Sequence, residues 1–170
     1  MFVTGEGLIG EVKIADEEAT RDFAKLLAPF LRGGDILALE GDLGAGKTAF
    51  SRALINALPS RGDQPEKEEV PSPTFTLVQI YDRAALQVWH FDLYRLEDPE
   101  EAYELGIEEA FVEGISLIEW PEKLGFLMPL SRLMINLKYG GSDTERVLSF
   151  VGNEKWRERL FALLNPTDAS

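Results

Sequence analysis

Apolar and polar positions recur along this chain with two periods, and those periods outline its elements. Between residues 16 and 32, Phe23, Leu26, Leu27, Phe30 and Leu31 follow i, i+3, i+4, i+7, i+8 spacing. That spacing predicts an amphipathic helix with these side chains on its core face. Asp16 stands where an N-cap belongs, and Gly33-Gly34 where a helix stops. Ile36 to Leu39 is an unbroken apolar run bounded by glycines, the pattern of a strand buried on both faces. Lys47 to Leu58 suits a second helix, and residues 6–14 a short extended segment. Residues 59–71 are polar and carry three prolines, which predicts a mobile loop. Phe75 to Tyr81 and Leu86 to Asp92 read as a hairpin of two strands. In Asp98-Pro99-Glu100-Glu101, Asp suits the N-cap, Pro the first helical position and Glu the third, a helix start. Ile115 to Ile118 is a further buried strand, and Arg132–Tyr139 with Arg146–Val151 a late strand pair. Glu154 to Leu164 closes the chain as a helix expected to bury Trp156, Leu160 and Phe161.

Strands and helices interleave, so the expected class is α/β, in one domain across residues 1–170. The hairpin requires a mixed sheet. With an apolar content of 45%, the chain can fill a core despite its many charges. Those charges are lopsided: 17 Lys and Arg against 30 Asp and Glu give a net charge of −13. Such a surface is poorly suited to grip nucleic acid or anionic lipid broadly, because each phosphate contact needs a cation. The absence of Cys excludes disulfides and thiolate chemistry, and a single His excludes multi-histidine metal sites. No apolar run approaches the roughly 20 residues that span a bilayer. The start MFVTGEGLIGEV lacks a basic stretch followed by an apolar block. A cytoplasmic protein is expected.

The most specific motif is Gly41-Asp42-Leu43-Gly44-Ala45-Gly46-Lys47-Thr48, which satisfies G-x-x-x-x-G-K-[ST]. Its glycines let the backbone curl so that several N–H groups aim at phosphate oxygens. The helix that follows adds its positive end. Lys47 is placed for the β- and γ-phosphates, and the Thr48 hydroxyl for Mg²⁺. A chance glycine turn satisfies the letters equally well. The apolar strand before the motif and the helix after it decide for a phosphate loop.

Such an enzyme also needs an acid at the end of a neighbouring strand. Glu119 follows Ile115–Ile118, and Asp92 ends Val88-Trp89-His90-Phe91. In the latter strand His90 and Asp92 share one face, Trp89 and Phe91 the other. Either acid alone suits a solvated strand end. Beside a phosphate loop, both read as residues that bind metal or orient water. His90 reads as a hydrogen-bonded core or supporting residue, not as the proton acceptor. Ser72-Pro73-Thr74 fits either a γ-phosphate-sensing loop or a plain entry to a strand. Residues 97–123 hold ten acids and one Lys, a solvated face or a dock for a basic partner.

Four strings carry a resemblance over nearly the whole chain: LEGDLGAGKTAFSRAL at 39–54, VPSPTFTLVQIYD at 70–82, HFDLYRLEDPEEAYELGIEEAF at 90–111 and LIEWPEKLG at 117–125. In this order they resemble the TsaE (YjeE) family of bacterial tRNA threonylcarbamoyladenosine biosynthesis. SPTFTLV, HFDLYRL and IEWPEK are far more specific than the phosphate loop alone. The resemblance implies a phosphate-loop NTPase-like three-layer sandwich with a mixed, mostly parallel sheet. It implies an ATPase that uses ATP and Mg²⁺, yields ADP, and works with the TsaD–TsaB pair, which modifies tRNA. Contact with tRNA would be indirect. By family motif Thr48 and Glu119 bind Mg²⁺, Asp92 is the other functional acid, and Ser72 and Thr74 belong to a nucleotide-sensing switch. Trp120 is functionally important, and Glu17 and Arg146 belong to the nucleotide site. Two small departures are Arg52-Ala53, where Arg-Gly is frequent, and Glu122, where Gln or Glu occurs.

Two other readings compete. A small kinase would need a second substrate pocket and an Arg-rich lid, and no Arg cluster is apparent in the sequence. A nucleotide-binding module without turnover would not require Lys47, Thr48, Asp92 and Glu119 together. A GTPase is disfavoured by the lack of an N-K-x-D string. Arg146 or Arg95 is expected to supply positive charge from within the chain.

Overall fold

The computed structural model describes residues 6–60 and 70–167, and residues 61–69 of the expected mobile loop lie outside them. Seven strands form one sheet: β1 (Gly7–Ile14), β2 (Ile36–Glu40), β3 (Val78–Asp82), β4 (Gln87–Asp92), β5 (Ile115–Glu119), β6 (Leu133–Tyr139) and β7 (Arg146–Gly152). Their spatial order is β1-β7-β6-β2-β5-β4-β3. The central strands β6, β2, β5 and β4 run parallel. The flanking pairs β1–β7, β7–β6 and β4–β3 are antiparallel. The sheet is mixed, as the hairpin required, with its parallel part confined to the centre. β2, β4 and β5 therefore end on one edge of the sheet, where ligands bind in open α/β folds.

Helices cover both faces. On one lie α1 (Glu17–Leu27), α2 (Lys47–Ala57) and α4 (Glu154–Leu164), where Phe23, Leu27, Phe50, Leu54, Trp156 and Leu160 pack with Leu37, Leu39 and Leu117 of the sheet. On the other, α3 (Ile107–Glu113) and two 3₁₀ segments, Pro99–Leu105 and Pro121–Leu127, bury Ile107, Ala110 and Leu124 against Ile36, Trp89, Phe91 and Ile118. Each of the large apolar side chains, fully buried, contributes roughly 1.5–3 kcal/mol. The three layers match the expected sandwich.

The local signals act as their chemistry dictates. The Asp16 side chain accepts the Ala19 N–H at 2.9 Å and caps α1. Asp98 forms a full capping box with Glu101. There the helix is 3₁₀ and passes into α3 at Gly106. The first helix is shorter than its apolar pattern predicted. Pro29 lacks an N–H, so the α-ladder stops at Leu27 and one 3₁₀ turn, Ala28–Phe30, follows. Two residues expected in the core are exposed: Leu26 at 59% and Phe161 at 47%. Leu26 sits beside the Phe23–Leu27 stripe but turns outward. Phe161 is one position past Leu160, about 100° around the helix. Its ring lies under the Arg157 guanidinium instead, 5.7 Å away. β3 starts three residues later than the expected Phe75, because Pro73–Leu77 forms a turn closed by Leu77 N–H donating to the Pro73 carbonyl at 2.7 Å.

Candidate functional site

The loop Gly41–Gly46 leaves β2 and turns into α2. Ala45 N–H donates to the Asp42 carbonyl at 2.9 Å, closing the curl. Gly44 (φ 84°) and Gly46 (φ 103°) take left-handed backbone that a side chain would strain. Two residues of the β6–β7 hairpin brace the loop from outside. The Tyr139 hydroxyl donates to the Gly44 carbonyl at 3.0 Å, and Arg146 Nε donates to the Ala45 carbonyl at 3.0 Å. The Arg146 guanidinium also lies 4.1 Å above the Tyr139 ring. These two bonds fix the Gly44 and Ala45 carbonyls and so hold the loop's curvature.

Lys47 opens α2 and is only 5% exposed. Its ammonium donates to the Gly41 carbonyl and, at 3.2 Å, to that of Asp42. The Trp120 ring covers it at 4.0 Å. Burial pushes the Lys47 ammonium below the usual lysine range, against the opposing pull of Glu119, Glu122, Asp92 and Asp42. The next residue, Thr48, donates its hydroxyl toward both Glu119 oxygens, at 2.9 and 3.0 Å. This contact ties the phosphate loop to the end of β5. Asp92 pairs with Glu119 across the parallel β4–β5 register. Its carboxylate accepts from the Thr74 hydroxyl at 3.2 Å and the Tyr94 N–H at 3.1 Å. Ser72 and Thr74 hydroxyls lie 2.6 Å apart, so the SPT segment reaches the site through Thr74. Trp120 has left-handed backbone (φ 59°), and its ring meets Tyr94 at 4.9 Å.

The expected residues thus fall into two groups. Lys47, Thr48, Asp92, Glu119, Thr74 and Trp120 converge at the strand ends. Glu17 and Arg146 lie on the loop's other flank, where they line a cavity of about 280 Å³ with Ala45, Gly46, Leu137, Asp143 and Thr144. Leu43 caps the loop at 75% exposure and projects into solvent. Arg95 stacks on the Phe75 ring at 4.5 Å. Tyr139 and Tyr94 escaped the sequence reading. Only the β6–β2 pairing puts Tyr139 beside the loop, whereas Tyr94, two residues past Asp92 in HFDLYRL, was there to be seen.

Thr48, Glu119 and Asp92 offer only hard oxygen donors, the set that suits Mg²⁺. Among the described residues no three His, Cys, Asp or Glu side chains form a metal cage. No described helix is long and apolar enough to cross a membrane.

Comparison with known proteins identifies the family. A family model described as threonylcarbamoyl adenosine biosynthesis protein TsaE matches residues 14–148. The TsaE protein of Rickettsia conorii is 40% identical over 149 residues, covering 88% of this chain and 82% of its own. That of Bacillus subtilis is 40% identical over 144 residues, covering 83% and 85%. The crystal structure of B. subtilis YdiB superposes with a TM-score of 0.73 at 31% identity, covering 96% of this chain and 97% of that one. A phosphate loop tied through Thr48 to Glu119, on a chain alike over this length, leaves one assignment: the chain belongs to the TsaE family.

Proposed function

We propose that this chain, as one ATPase unit, hydrolyses ATP with Mg²⁺ in the cytoplasm as an accessory to tRNA threonylcarbamoyladenosine formation. The observation that carries the reading is the Thr48–Glu119 contact, with Asp92 paired beside it. It joins a phosphate loop to two strand-end carboxylates, which simple nucleotide retention does not require. The relatives' names place the family in tRNA threonylcarbamoyladenosine biosynthesis, and the TsaD–TsaB pair is the partner that the family resemblance implies.

In this reading the loop amides and Lys47 hold the β- and γ-phosphates. Thr48 and Glu119 hold Mg²⁺, which when bound neutralises charge on the phosphates. Asp92 orients the attacking water. Thr74, bonded to Asp92, senses the γ-phosphate, and Trp120 covers Lys47 until the polyphosphate draws the ammonium away. Glu17 and Arg146 flank the nucleoside end. Partner contact near residues 70–76 and Trp120 completes the site, so turnover of the isolated chain is slow.

The test is phosphate release from ATP with and without purified TsaD and TsaB homologues. Release that rises with both partners and needs Mg²⁺ supports the proposal. A phosphorylated small-molecule acceptor in place of free phosphate identifies a kinase. Nucleotide binding with no release under any combination identifies a binding module.

A further inference from the structure

His90 is the only histidine in the chain, and it is completely buried on the site-facing side of β4. Its Nε2 lies 2.6 Å from Glu119 Oε2. Glu119 is itself 3% exposed, and both its oxygens also meet the Thr48 hydroxyl. The register explains the reach. Asp92 is the direct β4 neighbour of Glu119, while His90 pairs with Leu117 two residues back on the same face. A side chain there must span a diagonal of about 7–8 Å, and an imidazole is long enough to close it. The other ring nitrogen, Nδ1, is buried with no partner among the described residues.

These contacts select one tautomer. A proton on Nδ1 would bury an unpaired donor, at a cost of about 1–3 kcal/mol, and leave a bare nitrogen facing a carboxylate. A proton on Nε2 donates to Glu119 and leaves only a lone pair unpartnered. An N–H donor fixed on Oε2 keeps the carboxylate from rotating, so it stays aimed at Thr48.

We infer that His90 is a positioning residue, which locks the Glu119 carboxylate in the orientation that binds the nucleotide's divalent cation. The inference rests on the proposed Mg²⁺–nucleotide reading of the same site. Outer partners of metal-binding carboxylates are typically worth 10–100-fold in metal affinity. A histidine that only filled the core would leave the coupling between metal and nucleotide unchanged.

The test measures ADP affinity by calorimetry in excess Mg²⁺ and in EDTA, for wild type, His90→Leu and His90→Gln. Gln can donate from its terminal amide toward Glu119, and Leu cannot. His90→Leu should cut the Mg²⁺-dependent gain in ADP affinity about tenfold or more, with affinity in EDTA unchanged. His90→Gln should restore most of the gain. Equal gains in wild type and His90→Leu overturn the inference, as does an equal loss with and without metal. Should His90→Leu fail to fold, His90→Asn, whose amide is too short to reach, carries the same expectations. The single imidazole also gives an unambiguous ¹⁵N spectrum. A protonated Nε2 and bare Nδ1 in wild type support the assignment, and the reverse tautomer overturns it. A wild-type chain that binds ADP equally with and without Mg²⁺ overturns the parent reading, and the spectrum still reports the His90–Glu119 bond on its own.

Discussion

Lys47→Met separates stability from binding, because the same ammonium should count in opposite directions for each. In the fold Lys47 is 5% exposed and gains two carbonyl hydrogen bonds and a Trp120 face. Charge-assisted bonds and a cation–π contact are worth about 1–3 kcal/mol apiece. Burying an ammonium costs several kcal/mol. The lowered position of its proton equilibrium shows which side prevails, since desolvation outweighs the pull of Glu119, Glu122, Asp92 and Asp42. A thioether of similar length escapes that cost, so near pH ~7 Lys47→Met should change unfolding free energy by no more than about 1 kcal/mol. Binding should respond quite differently. Two charge-assisted bonds to phosphate oxygens are together worth about 3 kcal/mol, offset in part by the carbonyl bonds they replace, so ADP affinity should fall by about tenfold or more. The pH dependence adds a signature. Between its depressed folded pKa and the unfolded value of 10.5, Lys47 binds fewer protons folded than unfolded. Wild-type stability should therefore gain a component that grows as pH rises through that window, and Lys47→Met should lack it. Urea unfolding across alkaline pH and calorimetric ADP titration measure both quantities. A variant that loses more than about 3 kcal/mol of stability yet binds ADP like wild type would refute the reasoning.

Three further outcomes are expected. Glu119→Ala should abolish hydrolysis in the assembled complex, whereas Asp92→Ala should still bind nucleotide and lose turnover; phosphate release and ADP titration distinguish the two, and full activity in Glu119→Ala would remove the proposed site. Tyr139→Phe deletes the bond to the Gly44 carbonyl but keeps the ring under Arg146, so ADP affinity should fall by about 1 kcal/mol, near fivefold, with the urea midpoint little changed. Arg159→Leu removes the 2.6 Å partner of buried Asp35. Arg159 is 18% exposed, so the cost near neutral pH should be about 2 kcal/mol, below the range for a fully buried pair. Burial already raises Asp35 above 3.8, outweighing the Arg32 N–H and Arg159. The folded chain thus binds the extra proton, stability falls as pH rises through that window, and the loss in Arg159→Leu should shrink toward acid, read as urea midpoints against pH.

What the sequence revealed, and what it hid, divides by the range of the interaction. Caps at Asp16 and Asp98 are contacts over two or three residues, so their residue types alone locate the helix starts. The phosphate loop is equally local, since its conformation is written in Gly44 and Gly46. Errors arose where a pattern left the choice of face to neighbours distant in sequence. Leu26 fits the i, i+3 stripe of α1, yet Ala24 takes the buried position and Leu26 faces out. Phe75 looks like the first residue of a strand, but Pro73 starts a turn, Leu77 adopts φ 67°, and the ring ends 80% exposed beneath Arg95. The acids Asp92 and Glu119 were visible as strand ends, whereas their pairing depends on a parallel β4–β5 register that no local string encodes. For the same reason the His90 bridge and the Tyr139 brace emerged only from the assembled sheet.

The acidity acquires a local meaning at the site. Glu119, Glu122, Asp92 and Asp42 all act on Lys47, so four carboxylates share one buried ammonium. A polyphosphate entering that cluster meets more negative than positive charge, and only Lys47 and the loop amides offset the repulsion. Nucleotide affinity should therefore depend steeply on a divalent cation, which Glu119 and Thr48 would hold. The same field works against a longer polyanion. With a net charge of −13 and the site's one buried Lys committed to the loop, the isolated chain has little with which to neutralise an RNA backbone. Its affinity for tRNA should be weak and show a shallow salt slope. A tight, steeply salt-dependent complex between tRNA and the chain alone would contradict a role in which the RNA is held by partner proteins and this chain acts on them.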